Sequence, residues 1–272
     1  MKANVYQIFY SGETRASLDA GFIPLDNTGG RPDWYEYWPI RRFLLNNPLN
    51  PNEGYGFLSP KFGKKIGLHS DTVFQFLAET PDDVDVVTFP MFYDVAAFFL
   101  NVFEHACVAH SGIAPTLVAA LKQIMPSVDI NTLVMTSKET VFCNYLIAKP
   151  AFWAEWIGLC DQLFAIAESG VGELAEGLNA SVSYEQDSAP AKVFLIERMA
   201  SLLLCTQPQW RVRSYNPLTM PTSASPIRLL GAELLMLDGL KFASRQTGLP
   251  EYLAVFRQRQ GELFQRAMAD PQ

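Results

Sequence analysis

The chain has 272 residues, of which 49% are hydrophobic and 18% are charged, and its formal net charge is −7. These values are typical of a globular protein with a sizeable core and exclude wholesale disorder. A nonspecific nucleic-acid binder needs a basic face, so the acidic balance argues against nucleic acid as a partner. The four cysteines form no Cys-x-x-Cys pair, which predicts free thiols in a reducing compartment and hence a cytoplasmic protein.

Neither the first residues nor the longest apolar stretch predicts export or a membrane span. The first residues, MKANVYQIFYSG, lack the long apolar region of a secretory signal. The longest apolar stretch, residues 94–121, is interrupted by Asn101, Glu104, His105 and His110, and a bilayer span needs roughly 20 uninterrupted apolar residues. A peripheral contact with the inner face of the membrane remains open.

The first half of the chain alternates between strand and helix patterns. Segments rich in β-branched or aromatic residues and bounded by turn residues predict strands at residues 4–10, 55–59, 84–90 and 131–137. Between them, Pro39 suits the first position of a helix, Ser70 suits an N-cap, and residues 93–110 carry apolar side chains at helical spacing. We therefore predict an α/β fold with a mostly parallel central sheet flanked by helices.

In the second half of the chain, loop and helix patterns replace the regular alternation of strands and helices. Residues 179–190 are polar and predict a loop, residues 191–205 predict a helix, and residues 210–216 predict a short strand. Residues 217–226 have the composition of a linker, and helical patterns follow from Ser225 to about Gln246 and from about Pro250 onward. We therefore predict an α/β domain over residues 1–216 and a C-terminal helical hairpin within residues 217–272 that packs on it.

The sequence carries no familiar catalytic or metal signature. The motifs GxSxG, GxxxxGK[ST], HExxH and GxGxxG are absent. The segment EHACVAH brings together Glu104, His105, Cys107 and His110, but His105 lies on a different helical face from the other three and no fourth ligand follows at a suitable spacing. We therefore predict no structural metal.

Residues 25–47, LDNTGGRPDWYEYWPIRRFLLNN, concentrate aromatic, acidic and basic side chains around a double glycine. The arginines could contact a phosphate in a bidentate manner, and the helix that begins near Pro39 offers free N–H groups to an anion. An acid before that helix could accept hydrogen bonds from sugar hydroxyls or pair with an arginine. The alternative is a structural loop held by salt bridges at the edge of the sheet. The candidate donor-binding residues are Asp26, Asn27, Thr28, Arg31, Glu36, Arg41 and Arg42.

Several segments occur in an order that resembles the bacterial GT-A-type glycosyltransferase-like proteins of lipopolysaccharide, O-antigen and capsule biosynthesis. They are VYQIFY, a loop ending in PLDNTG, WYEYWPIRRFLLNN, YGFLSPKF, VDVVTFP, VFCNYLIAKPAFWAEW and FLIERMASLLLCTQPQWRVRSY, and together they cover roughly residues 4–216. The resemblance implies a GT-A-like fold. It also implies transfer of a sugar from a nucleotide-sugar donor to a glycan acceptor.

One departure from that family concerns the metal. Metal-dependent GT-A enzymes use an acidic DxD pair at the end of a core strand, whereas VVTFPMFYD offers Asp94 alone, and Asp83 and Asp85 lie at the other end of that strand. A divalent cation, Mn²⁺ or Mg²⁺, is therefore left open as a cofactor. Either arginines and helix N-termini neutralise the diphosphate, or catalysis has been lost.

The resemblance also implies roles for individual residues. Asp94 is the first candidate for the base or the metal-side acid, and Glu139 is the second. Asn144 and Glu197 are candidates for positioning sugar hydroxyls, although Glu197 and Arg198 could equally be structural. The expected function is that of a glycosyltransferase, and the alternative is a non-catalytic sugar-binding or scaffold protein of the same fold.

Overall fold

A computed structural model describes residues 1–184 and 187–269. The strands are β1 (Ala3–Phe9), β2 (Ile23–Asp26), β3 (Gly54–Leu58), β4 (Val86–Thr88), β5 (Leu146–Ala148), β6 (Ser181–Tyr184), β7 (Asp187–Pro190) and β8 (Val212–Ser214). The helices are α1 (Gly12–Ala16), α2 (Tyr37–Asn46), α3 (Phe62–Ile66), α4 (Ser70–Ala78), α5 (Tyr93–Phe98), α6 (Val102–Ala109), α7 (Ala114–Ile124), α8 (Pro150–Ser169), α9 (Glu173–Asn179), α10 (Ala191–Ile196), α11 (Met199–Thr206), α12 (Ala232–Thr247) and α13 (Pro250–Ala269). Short 3₁₀ helices cover Pro32–Trp34, Pro217–Thr219 and Pro226–Leu230.

Six strands form the central sheet in the order β2-β1-β3-β5-β4-β8. β1 pairs in parallel with β2 and β3, and β4 pairs in parallel with β8. β5 runs antiparallel between β3 and β4. Five strands therefore share one direction, and their carboxyl ends meet the amino end of β5 at one edge. The predicted α/β class with a mostly parallel sheet flanked by helices is confirmed.

The middle of the sheet is the most deeply buried part of the core. β3, β4 and β5 are buried along their whole length. A Cβ atom at Gly56 would lie 2.6 Å from Cγ1 of Ile147, so glycine lets β5 lie close against β3. Trp153 of α8 is buried against this sheet and donates a hydrogen bond from Nε1 to the carbonyl of Tyr55 over 2.9 Å.

Three sequence-based expectations about strands were wrong. Residues 131–137 form no strand, because Thr136 and Ser137 instead donate hydrogen bonds to Glu139 and Asp238, and β5 occupies the central position in the sheet. β2 lies where a loop was expected. The polar segment 179–190 contains the antiparallel pair β6 and β7, with residues 185–186 outside the described residues.

Two helices predicted as continuous are each divided in two. The 93–110 pattern is divided between α5, which ends at Phe98, and α6. Asn101 caps α6, since its Oδ1 accepts hydrogen bonds from the backbone N–H groups of Phe103 and Glu104 at 2.9 and 2.8 Å. The 191–205 pattern is divided between α10 and α11. Glu197 and Arg198 lie at the junction.

The C-terminal helices α12 and α13 form the expected hairpin, and α12 packs on α5. Leu234, Leu237, Phe256 and Leu263 belong to the same hydrophobic core as the sheet. Within the described residues, no helix combines the length and the apolar character that crossing a bilayer requires.

Candidate functional site

The strand order has a topological switch point between β1 and β3. The chain leaves β1 toward β2 on one side, and β3 then lies on the other side of β1. In open α/β sheets, ligands bind outside the carboxyl ends of the strands at such a switch point. Tyr10 and Ser11 follow β1 at this position, and Ser59, Pro60 and Lys61 follow β3.

Two glutamates lie near this edge of the sheet. Glu36 precedes α2, and Glu197 ends α10. Burial raises the pKa of the Glu197 carboxyl and the charge of Glu36 raises it further, whereas Arg198 and Lys65 lower it. Among the described residues, none donates a hydrogen bond to either carboxylate or forms an ion pair with it. The two acids therefore act on each other while lacking direct partners.

Asn144 lies in a strained turn just before β5. It and Cys143 adopt left-handed backbone angles, with φ of 52° and 56°. Asn144 is 3% exposed, and none of the residues that the structure describes donates a hydrogen bond to its buried Oδ1. Burial raises the pKa of Cys143 to about 12, and it also raises the pKa of Tyr145; Glu36 and Glu197 raise both further. Both neighbours of Asn144 thus lie within electrostatic range of the two acids.

A basic segment lies beside these groups. Lys65 of α3 has its Nζ 3.4 Å from Sγ of Cys143, and its charge acts on Glu197. Lys61 and Lys64 lie on the same short segment after β3 and are exposed. This edge of the sheet therefore carries both carboxylates and ammonium groups.

Tyr35 is a second strained residue in the same region. Its φ of 47° and ψ of −133° are unusual for a residue with a side chain, and its ring remains 45% exposed. Burial raises its pKa, and Asp187, Glu36, Glu197 and Tyr10 raise it further. Backbone strain of this kind concentrates at functional sites. We call the group formed by Tyr35, Glu36, Lys65, Asn144 and Glu197, which are linked by electrostatic range or by adjacency in the chain, the carboxylate cluster.

Two of the predicted donor-binding arginines hold the fold together. The Arg31 guanidinium lies 2.8 Å from carboxylate oxygens of both Asp33 and Glu168. Nε of Arg41 donates to Oδ1 of Asp161 over 2.7 Å. Glu168 and Asp161 belong to α8, so both arginines tie residues 31–41 to that helix. This is the salt-bridged structural arrangement that the sequence left open.

The remaining predicted donor residues surround the turn after β2. Asp26 is exposed, and its Oδ1 accepts a hydrogen bond from the backbone N–H of Thr28 over 2.7 Å. Asn27 is 8% exposed, and its Oδ1 has no hydrogen-bond partner within the described part of the chain. Arg42 is exposed and within electrostatic range of Asp26. Asp26 and Thr28 at the carboxyl end of β2 and Arg42 of α2 are exposed and so remain accessible to a ligand.

The two predicted catalytic acids are engaged elsewhere. Asp94 is fully buried, and both of its oxygens accept hydrogen bonds from the backbone N–H and the hydroxyl of Ser223. Glu139 accepts hydrogen bonds from Thr136 and lies 3.4 Å from Arg245 of α12. These contacts fasten the C-terminal part of the chain, and we assign neither acid a role in catalysis.

The residues present do not fit the divalent-cation site of metal-dependent GT-A enzymes. The acid after β4, Asp94, is saturated by Ser223. In the described part of the chain, no group of three or more His, Cys, Asp and Glu side chains could hold a metal ion. In the EHACVAH segment, burial lowers the pKa of His105 to about 3 and that of His110 to about 4. We derive no chemical step through a metal.

Comparisons of the chain with protein-family profiles, curated protein sequences and solved structures found no match.

The fold places Glu36 and Glu197, two of the residues predicted from the sequence, within electrostatic range of each other and of Cys143, the neighbour of the predicted Asn144. It also adds Tyr35 and Lys65, which the sequence reasoning missed. The signals for these two were present, since Tyr35 adjoins Glu36 and Lys65 ends the basic segment after β3.

Proposed function

We propose that the protein is a GT-A-like glycosyltransferase that transfers a sugar from a nucleotide-activated donor to a glycan acceptor in cell-surface polysaccharide biosynthesis. The observation that carries the proposal is the carboxylate cluster at the sheet edge that holds the switch point between β1 and β3. Glu36, Glu197 and Asn144 there offer hydrogen-bond acceptors suited to sugar hydroxyls. The proposed reaction, sugar transfer, comes from the order of sequence motifs, which resembles that of the GT-A-type glycosyltransferase-like proteins.

We place the donor nucleotide at the switch point between β1 and β3, on the residues that follow the two strands. Tyr10 follows β1 and is 50% exposed, which leaves its ring available to stack on a base or a sugar. Lys61 and Lys64 follow β3 and are exposed, so their ammonium groups can approach a diphosphate. Among the predicted arginines, the exposed Arg42 is the one that remains a candidate for the diphosphate.

Glu197 is the residue we assign as the general base. In the transfer, an acceptor hydroxyl attacks the anomeric carbon, the bond from that carbon to the diphosphate oxygen breaks, and the hydroxyl proton passes to a base. Burial raises the pKa of Glu197 and makes its carboxylate more basic, while Arg198 and Lys65 favour the ionised form. Glu36 and Asn144 would hold the sugar.

Nucleotide binding and transfer can be tested separately. We expect nucleoside diphosphates or nucleotide sugars at millimolar concentration to raise the melting temperature, because a ligand at about 100 times its Kd stabilises the native state by roughly 2.7 kcal/mol. Glu197→Gln should retain this shift and lose transfer. Glu251→Gln, an exposed acid of α13, is the matched control and should retain both.

Each outcome bears on one of the two candidate functions. Absence of a melting shift with every nucleotide would refute the donor site. A shift without transfer to any glycan would favour the non-catalytic sugar-binding alternative. The saturation of Asp94 by Ser223 is the specific observation that supports that alternative, because the family's acid at this position is then unavailable.

A further inference from the structure

The outer side of α12 is apolar, although it faces solvent. Seven residues at helical spacing form it, of which six are exposed and Ala243 is half-buried; they are Ala232, Leu235, Met236, Gly239, Phe242, Ala243 and Gln246. None of the seven is charged, whereas the charged side chains of Asp238 and Lys241 in the same helix are buried. A surface helix normally carries its charged side chains on the solvent side. We call the seven residues the α12 face.

The large apolar side chains of the α12 face leave much of their surface in water. Leu235 is 52% exposed, Met236 is 37% exposed and Phe242 is 42% exposed. They lie within about two turns of one helix and so form a continuous surface. Contiguous exposed apolar surface of this kind marks an interaction site, because a partner that covers it removes it from water.

Gly239 lies at the centre of the α12 face. Glycine within a helix is unfavourable relative to alanine, because it loses more backbone freedom on folding. A Cβ atom at this position would meet no other atom within 4 Å, so packing inside the described chain does not require a glycine here. A glycine does allow the backbone of a second helix to approach closely.

The distribution of charge favours a second copy of the chain over a membrane surface. Residues 217–272 carry six Lys and Arg and five Asp and Glu, so the net charge of −7 lies on the rest of the chain. Two copies that meet at this part therefore avoid most of their mutual repulsion. A helix that lies on a membrane surface needs Lys and Arg for the lipid headgroups. In α12, Lys241 instead donates to the carbonyl of Phe99 and Arg245 to that of Val134.

We propose that the α12 face is the interface of a homodimer in which two α12 helices cross antiparallel at Gly239. At about 100° per residue, Leu235 and Phe242 lie on one side of Gly239. Met236 and Ala243 lie on the other side. A two-fold axis beside Gly239 then places Phe242 against the partner's Leu235, and it places Met236 against the partner's Ala243. Each contact occurs twice, as an isologous interface requires, and the helix dipoles are opposed.

The length of α12 suits an interface between two copies. A standard stable interface buries about 800 Å² per partner, which corresponds to a patch roughly 28 Å across. α12 has 16 residues and is therefore about 24 Å long at about 1.5 Å per residue. One helix spans such a patch in a single direction, so we expect a reversible dimer with a Kd on the order of micromolar.

The oligomeric state of the full chain tests the proposal. Analytical ultracentrifugation from about 1 to about 100 µM should show a monomer–dimer equilibrium. Leu235→Glu would bury a carboxylate in the apolar interface and should weaken the dimer about tenfold or more. Val118→Glu is the matched control, because Val118 is a 50% exposed apolar residue of α7, and it should leave the equilibrium unchanged. Circular dichroism checks that both variants are folded.

Cysteine substitutions test the antiparallel crossing. A mixture of Leu235→Cys and Phe242→Cys proteins should form a disulfide-linked dimer under mild oxidation, because each new thiol faces the other in the partner. Either variant alone should cross-link much less, since like positions are then about 12 Å or about 9 Å apart along the helix axis. The unaltered protein gives the background from the four native cysteines.

Each outcome supports or overturns the homodimer. A protein that stays monomeric at about 100 µM overturns it, even if a variant does not fold. A dimer that Leu235→Glu leaves intact also overturns it, because another surface would then join the copies. Equal cross-linking in the mixture and in the single variants contradicts the antiparallel crossing. A monomer that sediments with vesicles of phosphatidylcholine and phosphatidylglycerol, and loses this binding in Leu235→Glu, would show that a membrane covers the α12 face instead.

Discussion

Ionisation of the Glu197 carboxyl should lower the free energy of unfolding of the protein. Its pKa is raised in the folded state, mainly by burial, so the native protein binds this proton more tightly than the unfolded chain does. The contribution of Glu197 to the free energy of unfolding therefore decreases as the pH rises through the folded-state pKa.

We expect Glu197→Gln to be at least as stable as the unaltered protein at about pH 7, although it loses sugar transfer. The stability difference between the two proteins should shrink at about pH 5, where the unaltered carboxyl takes up its proton more often. Urea unfolding at both pH values measures this. A variant that is clearly less stable at the higher pH would show that the carboxylate has a stabilising partner.

Asp94 and Ser223 are expected to act in stability. Ser223→Ala removes the hydroxyl that donates to the buried Asp94 carboxylate. A hydrogen bond to a charged group contributes about 1.5–3 kcal/mol, so the free energy of unfolding should fall by roughly 2 kcal/mol. Nucleotide affinity should not change. If instead transfer fell while stability held, Asp94 would regain its predicted role as a catalytic acid.

At the scale of elements, Arg41 braces α2 against α8. Arg41 donates to both oxygens of Asp161 at 2.7 and 3.2 Å, and its guanidinium lies 4.4 Å from the centre of the Phe164 ring. Arg41→Ala should lower the free energy of unfolding by about 1–2 kcal/mol, since the pair is partly exposed.

The adjacent arginine provides the control for this brace. Arg42 is exposed, so Arg42→Ala should change the free energy of unfolding by less than about 0.5 kcal/mol. Chemical denaturation of both variants makes the comparison. Equal effects on stability would rule out a specific brace at Arg41, and a loss of nucleotide affinity confined to Arg41→Ala would restore its predicted role at the diphosphate.

The sequence predicted β1, β3 and β4 from local patterns, because each is a short apolar run bounded by turn residues. It did not predict the break between α10 and α11. There the Arg198 side chain donates to the carbonyl of Phe194 over 2.6 Å and to that of Val102 over 3.0 Å. In a continuous helix, the Phe194 carbonyl would accept from the backbone N–H of Arg198. A partner as distant in sequence as Val102 leaves no local signal.

The docking of α12 on α5 should depend on pH through Lys241. Its ammonium is fully buried and donates to the carbonyls of Ala96 and Phe99 at the end of α5. Burial lowers its pKa to about 8. Because the unfolded chain then binds this proton more tightly, the contribution of Lys241 to stability increases as the pH rises from about 8 to about 10.5.

Substitution of this lysine isolates its contribution. The free energy of unfolding lost in Lys241→Met should be larger at about pH 10 than at about pH 7. At about pH 10 the unaltered side chain is neutral, so its burial no longer carries the cost of desolvating a charge. Urea unfolding of both proteins across this range gives the difference. A loss that is constant with pH would mean that Lys241 has the same pKa in the folded and unfolded states.

At the scale of the whole molecule, the site depends on strand order, which no local pattern reveals. Glu36, Asn144 and Glu197 lie in three distant segments, and each was a candidate from the sequence. Asn144 reaches the same edge as the others because β5 runs antiparallel, so that its amino end lies beside the carboxyl ends of its neighbours. Arg31 and Arg41 were also candidates from the sequence, but the structure pairs them with acids of α8. These acids lie more than 100 residues away in the sequence, so no local pattern predicts the pairs.

The predicted boundary at residue 216 can be tested by truncation. Residues after it contribute buried side chains to the common core, including Leu237 and Phe256. They also supply partners for buried polar groups, since Asp238 accepts hydrogen bonds from Ser137 and Lys241 donates to α5. Each buried polar group left unpaired costs about 1–3 kcal/mol, and a typical protein is stable by only 5–15 kcal/mol.

We therefore expect a chain that ends at residue 216 to lack cooperative unfolding, and the full chain to unfold in a single transition. The tryptophans report mainly on the α/β part, because all five precede residue 217, and far-ultraviolet circular dichroism reports on all helices. The two signals should give the same urea midpoint for the full chain. Separate midpoints, together with a folded 1–216 fragment, would instead show that the helical hairpin is an independent unit added to a self-sufficient α/β domain.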